Sequence, residues 1–164
     1  GVLLGAGACV DARQTDGGTP LIDAVARGHE KAARLLLDAG ADMAITGHDE
    51  CTALLSAVAG NHPALVKMLL DAGADVEELA DNGSSGLFLA VIDGFEQAAK
   101  VLLDAGANVK ACSKDGWTAL HLAAETGQAG AAALLLDAGA GVAAREKKNA
   151  FTPLHVAAVN GQHA

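Results

Sequence analysis

The sequence predicts an all-α solenoid of stacked helix-turn-helix units with projecting β-turn fingers. Three observations carry this prediction. First, Leu-Leu-Asp-Ala-Gly-Ala occurs from Leu36, Leu69, Leu102 and Leu135, and Leu-Leu-Gly-Ala-Gly-Ala from Leu3, with starts 33 residues apart. One fixed period means that a single supersecondary unit is stacked on itself. Second, a Thr or Ser followed by Pro, Ala or Gly and then Leu recurs between these stretches, at Thr19, Thr52, Ser85, Thr118 and Thr152. Third, 51% of residues are hydrophobic but only 2% are aromatic, a composition suited to helices that approach closely through Ala and Gly.

Residues Val2 to Ala8 read as the end of a helix with its glycine stop, Gly7 standing where Gly40, Gly73, Gly106 and Gly139 stand later. A residue that tolerates the left-handed conformation ends a helix at low cost. The chain is therefore expected to start inside a repeat and, with no initiating Met, to be a segment of something longer. Each Thr or Ser signal is an N-cap, where a side-chain oxygen accepts from a free helix N–H and Pro is tolerated one position on. A first helix of roughly eight residues is predicted at each, stopping at Gly28, Asn61, Gly94, Gly127 and Gly161. Second helices follow over Glu30–Leu37, Pro63–Leu70, Glu96–Leu103 and Ala129–Leu136, three of them with Glu or Pro in the first turn, where the helix dipole favours negative charge. Leu35, Leu69 and Leu102 are expected to be core residues whose substitution unfolds the stack. Helices below about 12 residues are marginal alone, so stacking stabilises the unit.

A unit of this length, with Thr152-Pro153-Leu154-His155-Val156-Ala157 and Thr118-Ala119-Leu120-His121-Leu122-Ala123 opening first helices, resembles the ankyrin repeat. The resemblance covers the whole chain as one array over residues 1–164: the end of a truncated repeat (1–8), complete units of about 9–41, 42–74, 75–107 and 108–140, and a partial repeat (141–164). It implies fingers projecting from the turns, first helices lining a concave face and second helices forming a convex back. It also implies a non-catalytic scaffold or adaptor that binds protein partners through fingers and concave helices. The alternative is a regulatory or structural segment of a larger multidomain enzyme, channel or assembly.

Departures from the repeat carry information. Asp23 and Ser56 stand where Leu89, Leu122 and Val156 stand later, which predicts a looser N-terminal part. Glu50 and Ala150 replace the finger glycine held by Gly17, Gly83 and Gly116, and the last finger is one residue longer: Ala140 to Thr152 spans 12 steps where the others span 11.

The three cysteines, Cys9, Cys51 and Cys112, lie far apart with no metal-ligand spacing, which argues against a disulfide framework or a zinc site and for an intracellular, cytoplasmic setting. No apolar run approaches the ~18 residues of a membrane span, and the opening residues lack a basic leader. Net charge is −9, with 6 basic and 16 acidic side chains over residues 1–107 against 5 and 4 over 108–164. Such a surface repels a phosphate backbone, so general nucleic-acid binding is not expected. No nucleophile is spaced with a base, so neither catalysis nor a cofactor is expected. His29 and His62 share one repeat position and His121 and His155 another, which reads as structural use. His48 and His163 are isolated.

Partner contacts are expected at the residues before each inter-helix stop, among them Ile92, Asp93, Glu125 and Thr126, and on the fingers, among them Asp81 and Asn82. The sharpest candidate is the surface joining the last two fingers: Lys114, Asp115, Trp117, Arg145, Lys147, Lys148, Asn149 and Phe151. Two aromatics in register, a local positive cluster and the inserted residue meet there. Aromatic anchors with steering cations suit an acidic protein segment, although rings at this position also serve their own turns. Further repeats or a partner are expected to cover apolar faces at both ends.

Overall fold

The computed structural model describes residues 2–47 and 50–162, with the backbone alone of Leu4. His48 and His163, read above as isolated histidines, lie outside the described residues. By its internal packing the chain divides into two compact units, residues 1–82 and 83–164.

The first unit contains α1 (Val2–Gly5), α2 (Pro20–Ala26), α3 (Glu30–Asp38), α4 (Ala53–Ala59) and α5 (Pro63–Asp71). Here α2 packs on α3 and on α4, α4 packs on α5, and α3 touches α5. First helices form one row and second helices another. The second unit repeats the plan with α6 (Gly86–Ile92), α7 (Glu96–Asp104), α8 (Ala119–Thr126), α9 (Ala129–Asp137) and α10 (Pro153–Val159): α6 packs on α7 and α8, α8 on α9 and α10, and α7 on α9. Among the described residues there is no strand; an isolated antiparallel bridge from Cys112 to Thr118 closes a finger.

Local chemistry sets these boundaries. Thr19, Thr52 and Ser85 accept from the N–H three residues on, and Thr118 and Thr152 form capping boxes with His121 and His155. The predicted stops at Gly28, Asn61, Gly94, Gly127 and Gly161 all have positive φ, from 54° to 75°. A side chain from the following repeat lies across several of these turns. A Cβ on Gly28 would come within 2.7 Å of the His62 ring, and one on Gly94 or Gly127 would meet the amide of Gln128 or Gln162. His62 also places its Nε2 3.3 Å from the Ala26 carbonyl, the structural use expected from its repeat position. The second helices run one residue further than predicted, to Asp38, Asp71, Asp104 and Asp137.

Leu21, Val25, Leu54, Leu55, Val58, Leu65, Val66 and Leu69 fill the first core, and Leu87, Val91, Leu102, Leu120 and Leu135 the second. Each such burial contributes about 1.5–3 kcal/mol. Leu35 corrects the expectation above: it is 49% exposed, while Leu69 and Leu102 are fully buried. The period explains the difference, since 33-residue steps back from Leu69 reach Leu36, and Leu35 faces away from the row. Asp23 is half-buried and receives a hydrogen bond from the Gln14 amide. Its counterparts Leu89 and Leu122 are also only half-buried, whereas Val156 is buried.

Apolar surface remains open on terminal helices. Val2 is 90% exposed, and in the second unit Leu154 and Val142, both 63% exposed, flank an apolar groove of about 620 Å3 between α9 and α10, floored by Leu120 and Ala123 of α8. None of the helices among the described residues is long and apolar enough to cross a membrane.

Candidate partner-binding site

Three finger turns share one backbone frame. The N–H of Gln14, Gly47 and Ser113 donates to the carbonyl four residues on, that of Gly18, Cys51 and Trp117, at 2.8–3.0 Å. In the last finger the equivalent bond runs from Glu146 to Phe151, 3.0 Å and five residues on. The inserted residue is thus placed between these two.

Inside the fourth finger the Ser113 hydroxyl accepts the N–H groups of Asp115 and Trp117 at 3.3 and 3.2 Å. The longer last finger needs a longer arm. The Glu146 side chain, only 5% exposed, accepts from the N–H of Lys148 at 2.6 Å, Asn149 at 2.5 Å and Phe151 at 3.2 Å. Burial works against its charge, but these three donors outweigh it and hold the carboxyl below the ordinary glutamate range. Sequence reasoning missed Glu146; the available signal was an acceptor at the register of Ser113 opening the one finger with an extra residue.

The last two fingers are tied together. The Lys147 N–H donates to the Asp115 carbonyl at 2.8 Å, and its ammonium donates to the Lys114 carbonyl at 2.6 Å. A Cβ on Gly116 would sit 3.3 Å from Glu146 and Lys147 backbone atoms, so glycine permits the approach. Buried His121 adds a bond between the two repeats. Its Nδ1 receives the Thr118 N–H at 3.2 Å, which leaves Nε2 to donate to the Phe151 carbonyl at 3.1 Å. The aromatics are half-buried and rest on histidines of their own repeats: Trp117 on His121 with centroids 5.6 Å apart, and Phe151 stacked on His155 at 5.7 Å.

The structure thus brings Lys114, Asp115, Lys147 and, through His121, Trp117 and Phe151 into one connected block. Lys114, Asp115, Arg145, Lys147, Lys148 and Asn149 are all exposed, with Lys147 engaged between fingers. Glu125 and Thr126 are exposed at the end of α8, where the Thr126 hydroxyl donates to the Leu122 carbonyl at 2.8 Å. Ile92 and Asp93 are exposed at the end of α6, and Asp81 and Asn82 are exposed in the first unit.

The first unit has its own finger contacts. The Arg13 guanidinium donates to the Thr46 carbonyl at 2.7 Å, and the Asp42 N–H to the Asp11 carboxylate at 3.0 Å. Glu78 is half-buried and accepts from the Thr52 hydroxyl. Burial pushes its carboxyl up, aided by the Asp75 charge and opposed by the hydrogen bonds from Thr52 and the Asp75 backbone. No group of three or more His, Cys, Asp or Glu among the described residues is arranged to hold a metal.

The family model for ankyrin repeats matches the chain in three overlapping copies, over residues 2–80, 57–146 and 87–164. The chain belongs to the ankyrin-repeat family. Ankyrin repeats are generally protein–protein interaction modules and typically non-catalytic, and no catalytic domain is found here. A comparison with curated proteins finds no match.

Proposed function

We propose that this chain is a non-catalytic binding scaffold whose ankyrin repeats grip an acidic segment of a protein partner at the last two fingers. The observation that carries the reading is the tied block itself. Two half-buried rings, Trp117 and Phe151, are fixed beside exposed cations Lys114, Arg145 and Lys148. Rings already held by packing supply contact area at little ordering cost, while cations steer an acidic segment and lose influence as salt rises. The exposed ends of the first helices, Ile92-Asp93 and Glu125-Thr126, extend the contact onto the concave face.

Lys147 and Lys148 have different parts in this surface. Lys148 presents a free ammonium, whereas Lys147 spends its own on the neighbouring finger. Lys148→Glu should leave the melting temperature nearly unchanged and weaken the native partner about three- to tenfold at low salt, with a smaller loss at high salt. Lys147→Glu should also cost about 1 kcal/mol of stability, by removing the bond between fingers. Titration of both variants in calorimetry at two salt concentrations checks this. An affinity unchanged by Lys148→Glu at both would move the site to the concave helices.

A further inference from the structure

We propose that Glu146, which touches no partner, is the positioning residue of the two-finger surface, and that it presents Lys148 and Asn149 to the acidic segment. This rests on the reading of that surface as the binding site.

The other fingers for which the frame is seen close in four residues, and the fourth is held by a neutral hydroxyl with two acceptances. The last closes in five, contains Ala150 at φ 57° where three of the other fingers have Gly17, Gly83 and Gly116, and therefore has a backbone that does not favour its own conformation. The carboxylate supplies what the turn lacks. It gathers three N–H groups of the loop, those of Lys148, Asn149 and Phe151, and charge-assisted bonds of this kind are the stronger ones. Lys147 pins the near side of the loop to the fourth finger, and Glu146 fixes the far side from within. Lys148 and Asn149 thus have their backbones ordered before any partner arrives while their side chains stay exposed. Without Glu146 the partner must order the loop on binding, and the affinity carries that entropy.

The test uses the whole chain, with fluorescein-labelled oligoglutamate as the probe. Anisotropy titrations of the wild type, Glu146→Ala and Glu146→Gln are paired with amide exchange at Lys148, Asn149 and Phe151 in the free protein and with thermal melts. The expected result is loss of protection at those amides and roughly tenfold weaker probe binding in Glu146→Ala, with helix amides and melting temperature little changed. Glu146→Gln, which keeps one acceptor oxygen at the same reach, should restore part of both. Unchanged protection or unchanged affinity in Glu146→Ala overturns the assignment. So does a fall in affinity that follows a general loss of helix protection, which would make the role merely structural. Failure of the wild type itself to bind oligoglutamate refutes the reading of the surface, and the presentation of Lys148 and Asn149 falls with it.

Discussion

Ala150 and Glu50 sit at φ 57° and 52°, in the region a Cβ makes costly by about 1–2 kcal/mol. Glycine there would give back about 0.5–1 kcal/mol through the greater freedom of the unfolded chain. The difference favours the folded state, so Ala150→Gly should stabilise the protein by up to about 1 kcal/mol, read from urea denaturation. A loss of stability would mean that the Ala150 methyl group makes contacts that outweigh its strain. Two glutamates should respond to acid in opposite senses. Glu146 has a depressed pKa, so its contribution is present above the unfolded value of about 4.3 and is lost as pH falls through the folded one. Glu78 has a raised pKa, so its contribution is full below about 4.3 and is lost as pH rises through the folded value. Glu146→Gln should therefore flatten the acid limb of the stability curve, whereas Glu78→Gln should stabilise near neutrality and lose that advantage in acid. Stability measured against pH for both variants gives the sign directly.

At the scale of helices, the run Leu35-Leu36-Leu37 separates what a repeat period determines from what a local pattern suggests. Leu69→Ala and Leu102→Ala should each cost about 2–5 kcal/mol, because each leaves a cavity in a close-packed row. Leu35→Ala should cost less than about 1 kcal/mol, since half of that side chain is already in water. Equal losses at Leu35 and Leu69 in denaturant titrations would contradict the register. Helix starts and stops were legible because they depend on short-range backbone chemistry: a hydroxyl at Thr52 or Thr118, a left-handed residue at Asn61 or Gly94. Three adjacent leucines offer no such marker within one turn, and Leu35, read as a core residue, is the exposed one of the three, Leu36 and Leu37 being half-buried. Glu146 was legible only as an acceptor at the register of Ser113, not by its role. Its partners are backbone N–H groups of a loop that folds back on it, and nothing in the residue types of Lys148, Asn149 and Phe151 announces that they share one acceptor.

For the whole molecule, the excess of acidic groups over residues 1–107 and the near balance beyond them make polarity a property of position along the chain. The residues of the candidate site were visible as a local positive cluster beside two rings, but the sequence did not separate the cation that ties fingers together from those left for a partner. Structure is needed for that distinction, because Lys147 and Lys148 are adjacent and chemically identical. The most direct measurement of the central claim is amide hydrogen exchange of the full chain, free and bound to its native partner. The account predicts new protection over residues 114–117 and 145–151, with a weaker extension to Glu125 and Thr126. Protection confined to the second helices α3, α5, α7 and α9, with the last two fingers exchanging as in the free protein, would contradict it.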